Sequence, residues 1–326
     1  MSPLSLKVTL EQMCQGAVMT YAECFQMEYR MATRMMENPD FFEGVRAVVV
    51  DKDRNPKWTK RDITKVTAEH LWARNEHELK ATEQLARTEW TTLAASGALR
   101  VFVQTVDLSN PTDYTTKVDH MMAELTTQTY ERVFLVHNAG SLGPLGIVQE
   151  CISSPVDVAK YWELNLTSVM WLNKRFLDLY GASRDEVFAP PSVSASKKTQ
   201  LVIVNITSMS GVKPFKTYTI YCTGKAAREM HHGVIAKEQA EIGNVRVLQY
   251  SPGPMDTDMQ KTVRESDSVD PERRKVFKEM KVQGTLAPTA QSSERCVQLA
   301  IGDKYDTGAR FDFFSLNRVG HAKLFS

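Results

Sequence analysis

The chain predicts a doubly wound parallel α/β sheet from about residue 72 onward, with a mainly helical segment ahead of it. Three observations carry this. From residue 100, β-branched runs alternate with stretches of helical period, the pattern of strands joined by crossover helices. RVFLVHNAG (132–140) reads as a buried strand running into a turn of small residues. LVIVNITS (201–208) and VRVLQYSPGP (245–254) also run from a strand into a polar loop, and open parallel sheets bind ligands at such carboxyl ends.

The elements follow in order. Residues 20–37 predict a helix, with Cys24, Met27, Met31 and Met35 at helical spacing; such a methionine stripe belongs to a core rather than to a ligand site. VRAVVV (45–50) is a short β-branched run, ended by the charged, Pro56-containing turn 51–58. Residues 76–90 are helical, with Leu79, Leu85, Ala86 and Trp90 apolar, and 100–106 is a strand. Ser109, Asn110 and Pro111 signal a helix start, and Val118, Met121, Met122 and Leu125 share its inner face. Residues 157–180 are helical, and 181–200 is a polar surface loop. A helix over 219–241, two more near 271–282 and 288–301, and a last strand at 309–315 complete the pattern.

Composition narrows the function classes. A net charge of +1 leaves no electrostatic footprint for nucleic acid or an anionic membrane. No apolar run approaches the ~20 residues of a membrane span, and the first residues lack a signal peptide's basic start and apolar core. Cys14, Cys24, Cys151, Cys222 and Cys296 show neither metal spacing nor a disulfide framework. No metal is expected, and a reducing cytoplasm is. The sequons at Asn165 and Asn205 are chance matches without secretion.

The chemistry begins with Tyr221 and Lys225, four apart on one helix face. An ammonium beside a phenol should favour the phenolate and lower the tyrosine pKa. Tyr221 would then donate a proton to a carbonyl oxygen that receives a hydride. Ser208, at the end of its strand, can hydrogen-bond the same oxygen. HNAG (137–140) ends another strand at that edge, where small residues admit a cofactor. Asn165 lies on the intervening helix, and Thr257 in PGPMDTDM can bond an amide group.

These motifs, in this order, resemble the short-chain dehydrogenase/reductase family, with its Rossmann-like sheet. The resemblance implies a catalytic tetrad of Asn165, Ser208, Tyr221 and Lys225, with Lys225 also holding the nicotinamide ribose. NAGSLGP, YWELNLTS, PFKTYTIYCTGKAAREM, NVRVLQYSPGPMDTDMQ and SVDPERR are similar to the family's sepiapterin reductase branch over about residues 73–314. That branch uses a buried aspartate to anchor a pterin ring, here Asp312. It also implies substrate contacts at Ser208, Met209, Tyr221 and Gly253. For NADP(H) it implies Arg74 and Asn75 at the 2′-phosphate, and Asp107 and Leu108 at the adenine. Asn138, Ala139 and Gly140 would line the cofactor wall, with Met255, Asp256, Thr257, Asp258, Met259 and Gln260 over the nicotinamide. An arginine at position 74 suits NADPH, because it can pair with a phosphate dianion. The implied partner is a small carbonyl substrate, a pterin of tetrahydrobiopterin biosynthesis; a homodimer is also admitted.

The chain departs from this family at its start. The family's first strand, its G-x-x-x-G-x-G turn, its first long helix and its second strand should precede Arg74, and nothing in 1–71 has that pattern. Residues 1–71 hold only Gly16 and Gly44, so no run of backbone N–H groups is set to cradle a pyrophosphate. Instead SLKVTLEQ, MTYAECFQMEYRMATRMMENPDFFEGVRAVVVDKDRNPKW and DITKVTAEHL resemble the C-terminal tail of the 3-hydroxyisobutyryl-CoA hydrolases, a crotonase-fold family. The sequence thus reads as a chimera, a crotonase-like tail at 1–71 joined without a linker to a truncated reductase domain at 72–326. In the family the missing strand lies at the centre of the sheet, so its loss should expose the edges of its two neighbours. The expected function is an NADPH-dependent carbonyl reductase of this branch. The alternatives are an inactive remnant that cannot hold cofactor and a CoA-thioester hydrolase fragment.

Overall fold

A computed structural model describes residues 67–73, 75–92, 99–127, 129–188 and 199–318. The helix expected at 20–37, the run at 45–50 and Arg74 lie outside the described residues. The chain divides into two compact units, Met1–Thr105 and Val106–Ser326.

In the first unit, β1 (Thr67–Ala73) and β2 (Leu99–Thr105) pair in parallel, with Thr67 opposite Leu99 and Ala73 opposite Thr105. The crossover is α1 (Glu76–Thr92), which buries Leu79. β1 begins inside the segment read as a helical tail and runs across the expected join.

The second unit carries α2 (Pro111–Leu125), β3 (Arg132–His137), α3 (Val148–Cys151), α4 (Pro155–Trp162), a π-helical turn at Glu163–Thr167, α5 (Ser168–Tyr180) and α6 (Arg184–Phe188). It continues with β4 (Gln200–Ile206), α7 (Thr219–Glu238), β5 (Val245–Ser251), α8 (Asp258–Glu265), α9 (Pro271–Val282), α10 (Thr289–Gly302), β6 (Arg310–Asp312) and α11 (Phe313–Arg318). The strands form one parallel sheet in the order β3-β4-β5-β6.

Local chemistry explains these elements. Asn110 caps α2 by accepting from Thr112 N and Asp113 N, and Pro111 occupies the first turn, where no amide is needed. Val118, Met121, Met122 and Leu125 are buried on its inner face as their spacing predicts. Leu201, Val202 and Ile203 of β4, and Val245, Val247 and Leu248 of β5, are fully buried, as central parallel strands covered on both faces must be. Val202, Val204, Leu248 and Tyr250 pack with Ala287, Cys296, Ala300, Tyr305 and Phe313 into one core cluster. A large apolar side chain in such a core contributes about 1.5–3 kcal/mol.

Two expectations are corrected. β3 is not a buried strand: Phe134 is 41% and Val136 54% exposed. It stands at the end of its sheet, and among the described residues it pairs only with β4. The stretch 157–180 is helical throughout as expected, with a π turn at its middle. The last strand is only three residues long, because Phe313 and Phe314 turn into α11. The sequence reading also missed α8, whose residues DMQKTVRE are nearly all polar.

Candidate active site

The carboxyl ends of β3, β4, β5 and β6 share one edge of the sheet, and α7 packs against β4 and β5. Tyr221, Lys225 and Arg228 sit at i, i+4 and i+7 on α7, on one face. Lys225 Nζ donates to the carbonyl of Ile206 at 2.8 Å, at the last residue of β4, and lies 5.7 Å from the centre of the Tyr221 ring. Ser208 follows β4 in an extended conformation and starts the short turn Met209–Gly211, its Oγ accepting from Ser210 N. The Ser208 side chain faces the Tyr221 phenol closely enough to favour its ionised form.

Asn165 arrives from the π turn. Such a turn holds one extra residue and often marks a functional site. The Asn165 Oδ1 accepts from Ser141 N at 2.8 Å, and its Nδ2 donates to Tyr161 O at 3.0 Å. A Cβ at Gly140 would lie 3.2 Å from Asn165 Oδ1, so the turn after β3 approaches the π turn as closely as a small residue allows. Tyr161 reaches α7 in the same way: a Cβ at Gly224 would lie 2.5 Å from its hydroxyl.

Electrostatics correct one expectation. The Tyr221 pKa is raised rather than lowered, because burial outweighs the Ser208 side chain and the nearby Arg228 charge. Burial and the Arg228 charge pull Lys225 down to about 7, while Glu229 opposes the shift. The phenol therefore holds its proton at neutral pH, and the permanent cation beside it is Arg228. Sequence reading overlooked Arg228, although its spacing from Tyr221 and Lys225 already put it on their face.

The other expected residues divide by location. Asp312 ends β6 and is buried; its Oδ2 accepts from Ser251 Oγ at 2.7 Å and its Oδ1 from Phe314 N at 3.1 Å. Gly253 has φ +78°, and a Cβ there would lie 2.8 Å from the Phe314 ring. Met209 O accepts from Lys213 N at 2.9 Å. Met255 bridges to Ala287. Thr257 caps α8, with Asp258 in its first turn. Asp256 pairs with Arg264 and Lys281. Met259 is exposed, and Gln260 is buried with Nε2 lacking a partner. Asp107 and Leu108 begin the second unit, Asp107 Oδ1 accepting from Ser109 N and Oγ. Asn75 is exposed in the first unit, its Oδ1 accepting from His77 N.

A family model described as short chain dehydrogenase matches residues 61–268. The chain belongs to this family. Sepiapterin reductase of Bos taurus is 36% identical over 75% of this chain and 83% of its own length. The Meriones unguiculatus sepiapterin reductase is 39% identical over 56% of this chain and 64% of its own. The solved structure of the KRED1-Pglu enzyme shares the fold, with TM-score 0.55, 21% identity and coverage of 74% of this chain and 88% of that one. NAD+-bound xylitol dehydrogenase does likewise, with TM-score 0.54, 22% identity and coverage of 76% and 88%. Residues 1–74 match a different family model, enoyl-CoA hydratase/isomerase. There the mitochondrial 3-hydroxyisobutyryl-CoA hydrolase of Homo sapiens is 51% identical over 22% of this chain and 18% of its own length.

Short-chain dehydrogenases use nicotinamide cofactors, and the residues present fit one end of such a group. The Lys225 ammonium at the strand edge suits a ribose hydroxyl, and the partnerless amide of buried Gln260 is a donor that suits a carboxamide. At the other end, no glycine-rich turn precedes β1 in the sequence.

Proposed function

We propose that this short-chain dehydrogenase is by lineage an NADPH-dependent carbonyl reductase of the sepiapterin reductase type. Its preferred substrate class is a pterin side-chain ketone, and its compartment is the cytoplasm. The observation that carries the reading is the juxtaposition of Tyr221, Ser208 and Lys225 at the strand edge that also ends in Asp312. Bound reduced nicotinamide supplies the hydride. Tyr221, kept protonated by burial, donates the proton that the carbonyl oxygen gains, and Ser208 Oγ holds the same oxygen. Lys225 orients the ribose and stands ready to return the proton to Tyr221. Arg74 favours the 2′-phosphate, and Asp312 accepts hydrogen bonds from the pterin edge.

A second reading has its own support. The sequence lacks the glycine turn, and β3 lacks a second strand partner among the described residues. On this reading the reductase domain, from residue 72 after a crotonase-like tail, keeps its tetrad but holds cofactor poorly. Charge-assisted hydrogen bonds are worth about 1.5–3 kcal/mol each, so several missing pyrophosphate contacts weaken binding by orders of magnitude. Titrating NADPH into the chain while following dicarbonyl and pterin reduction separates the two. Turnover that saturates with NADPH supports the reductase; none at any concentration supports the silent remnant. Acyl-CoA hydrolysis would instead favour the thioesterase fragment, for which nothing in the described site speaks.

A further inference from the structure

We propose that Arg228 is a positioning residue of this site: its guanidinium ties the turn after β3 to the catalytic helix and presents a fixed buried positive charge to Tyr221 and Lys225. The proposal rests on the carbonyl-reductase reading for its purpose, but not for its test.

Arg228 is 1% exposed. Its Nε donates to Asn205 Oδ1 at 3.1 Å, one NH group to Ala139 O at 2.9 Å and the other to His137 O at 2.8 Å. One planar fork therefore joins the end of β3, the turn beyond it, β4 and α7. The fork geometry matters, because a guanidinium presents its donors at fixed angles while an ammonium does not. The two carbonyls flank Asn138, so Arg228 fixes that residue's backbone from both sides. A Cβ at Gly140 would come within 3.7 Å of the guanidinium, so the whole turn rests against it.

All three acceptors are neutral, and no ion pair to Arg228 is seen among the described residues. Its charge is therefore not cancelled by its own partners. A buried cation without a carboxylate is costly, and the three charge-assisted hydrogen bonds that keep buried acceptors paired offset that cost. The titratable groups around it are Tyr161 on α4, His137 on β3, and Tyr221, Lys225, Glu229, His231 and His232 on α7. Tyr161 and Tyr221 interact with it as potential anions, Lys225 as a like charge. Glu229, the next residue on α7, is engaged by Arg310 and Thr207.

The test compares the full chain with Arg228→Met and Arg228→Gln. Both remove the charge, and glutamine can still donate to some of the three acceptors. Carbon-13 NMR of labelled lysines, with Lys225 assigned by Lys225→Arg, gives its titration midpoint. Hydrogen exchange gives the protection of Asn138, Ala139 and Gly140. Removing the like charge should raise the Lys225 midpoint in both variants. Exchange at the three turn amides should rise roughly tenfold in the methionine variant and less in the glutamine variant, with β5 unchanged. If the methionine variant does not fold, the glutamine variant decides.

An unchanged midpoint overturns the proposal. So does unchanged turn protection, or an equal loss of protection throughout β4 and β5, which would make Arg228 a general structural residue. None of these readouts needs cofactor or substrate. Absence of carbonyl turnover in the parent would remove the reductase reading and leave the Arg228 result standing. Where the parent is active, Arg228→Gln should lower kcat with little change in the carbonyl KM, and should shift the pH profile with the Lys225 midpoint.

Discussion

Acid should unfold the second unit through two histidines behind the active site. His137 Nε2 lies 2.7 Å from Asn173 Oδ1, Asn173 Nδ2 lies 3.2 Å from His232 Nε2, and His232 Nδ1 lies 2.7 Å from Arg228 O. With His137 donating and His232 accepting on their Nε2 atoms, every contact is satisfied by neutral rings. Both rings are buried, and burial holds His137 down to about 3 and His232 well below its ordinary value. Depressed pKa values mean that the unfolded chain binds these protons first. Stability is therefore complete above the ordinary histidine value of 6.5 and falls as pH drops from there towards the folded values. Each pH unit in that window costs about 1.4 kcal/mol per ring. At pH 5 the loss through His137 alone is about 2 kcal/mol, and His232 adds to it in the same direction, against a typical domain stability of about 5–15. His232→Gln can keep one donor and one acceptor but cannot titrate. It should start about 1–2 kcal/mol less stable at pH 7, yet lose less stability than the parent on going to pH 5. Urea unfolding followed by circular dichroism at both pH values measures this. Parallel losses in parent and variant would show that His232 is not held neutral.

Four further outcomes are expected. Tyr221→Phe should nearly abolish carbonyl turnover at saturating NADPH; retention of most of kcat would remove Tyr221 as proton donor. Asp312→Ala should raise KM for a pterin far more than for a simple dicarbonyl, and equal effects would leave a generic reductase. Arg273 lies 3.7 Å from the Phe215 ring centre and 4.9 Å from that of Phe277, and Cys222 packs against the same cluster. Arg273→Ala should loosen α9 and speed alkylation of Cys222, read by peptide mass spectrometry; an unchanged rate would mean the stacking holds nothing closed. Gly224→Ala should cost about 1–3 kcal/mol in urea unfolding, because its Cβ would meet the Tyr161 hydroxyl at 2.5 Å; a neutral result would mean Tyr161 moves aside freely.

Much of this was legible in the sequence. The strand-and-helix alternation gave the parallel sheet, and Asn110 with Pro111 marked the start of α2 to the residue. Tyr221, Lys225 and Ser208 stand together because helix period and strand ends are local rules. What failed depended on neighbours. Phe134 and Val136 read as part of a buried strand, but burial of β3 needs strands on both sides. The direction of the Tyr221 shift turned on how much water the fold removes, which no i, i+4 pairing reveals. Arg228 looked like any helix arginine until two carbonyls from the β3 turn came within reach. α8 escaped because its start rests on the cap at Thr257 rather than on an apolar stripe.

The π turn at Glu163–Thr167 makes this stretch sensitive to length more than to composition. One surplus residue in an α-helix rotates everything after it by about 100°. Deleting a residue between 163 and 167 would leave α4 in place but swing Ser168, Val169, Leu172, Asn173 and Phe176 off the core face of α5. Asn173 would leave the two histidines, and Asn165 would lose its approach to Ser141. Point changes in the π turn away from Asn165 should therefore appear among functional variants in a random library, while single-codon deletions there should be absent.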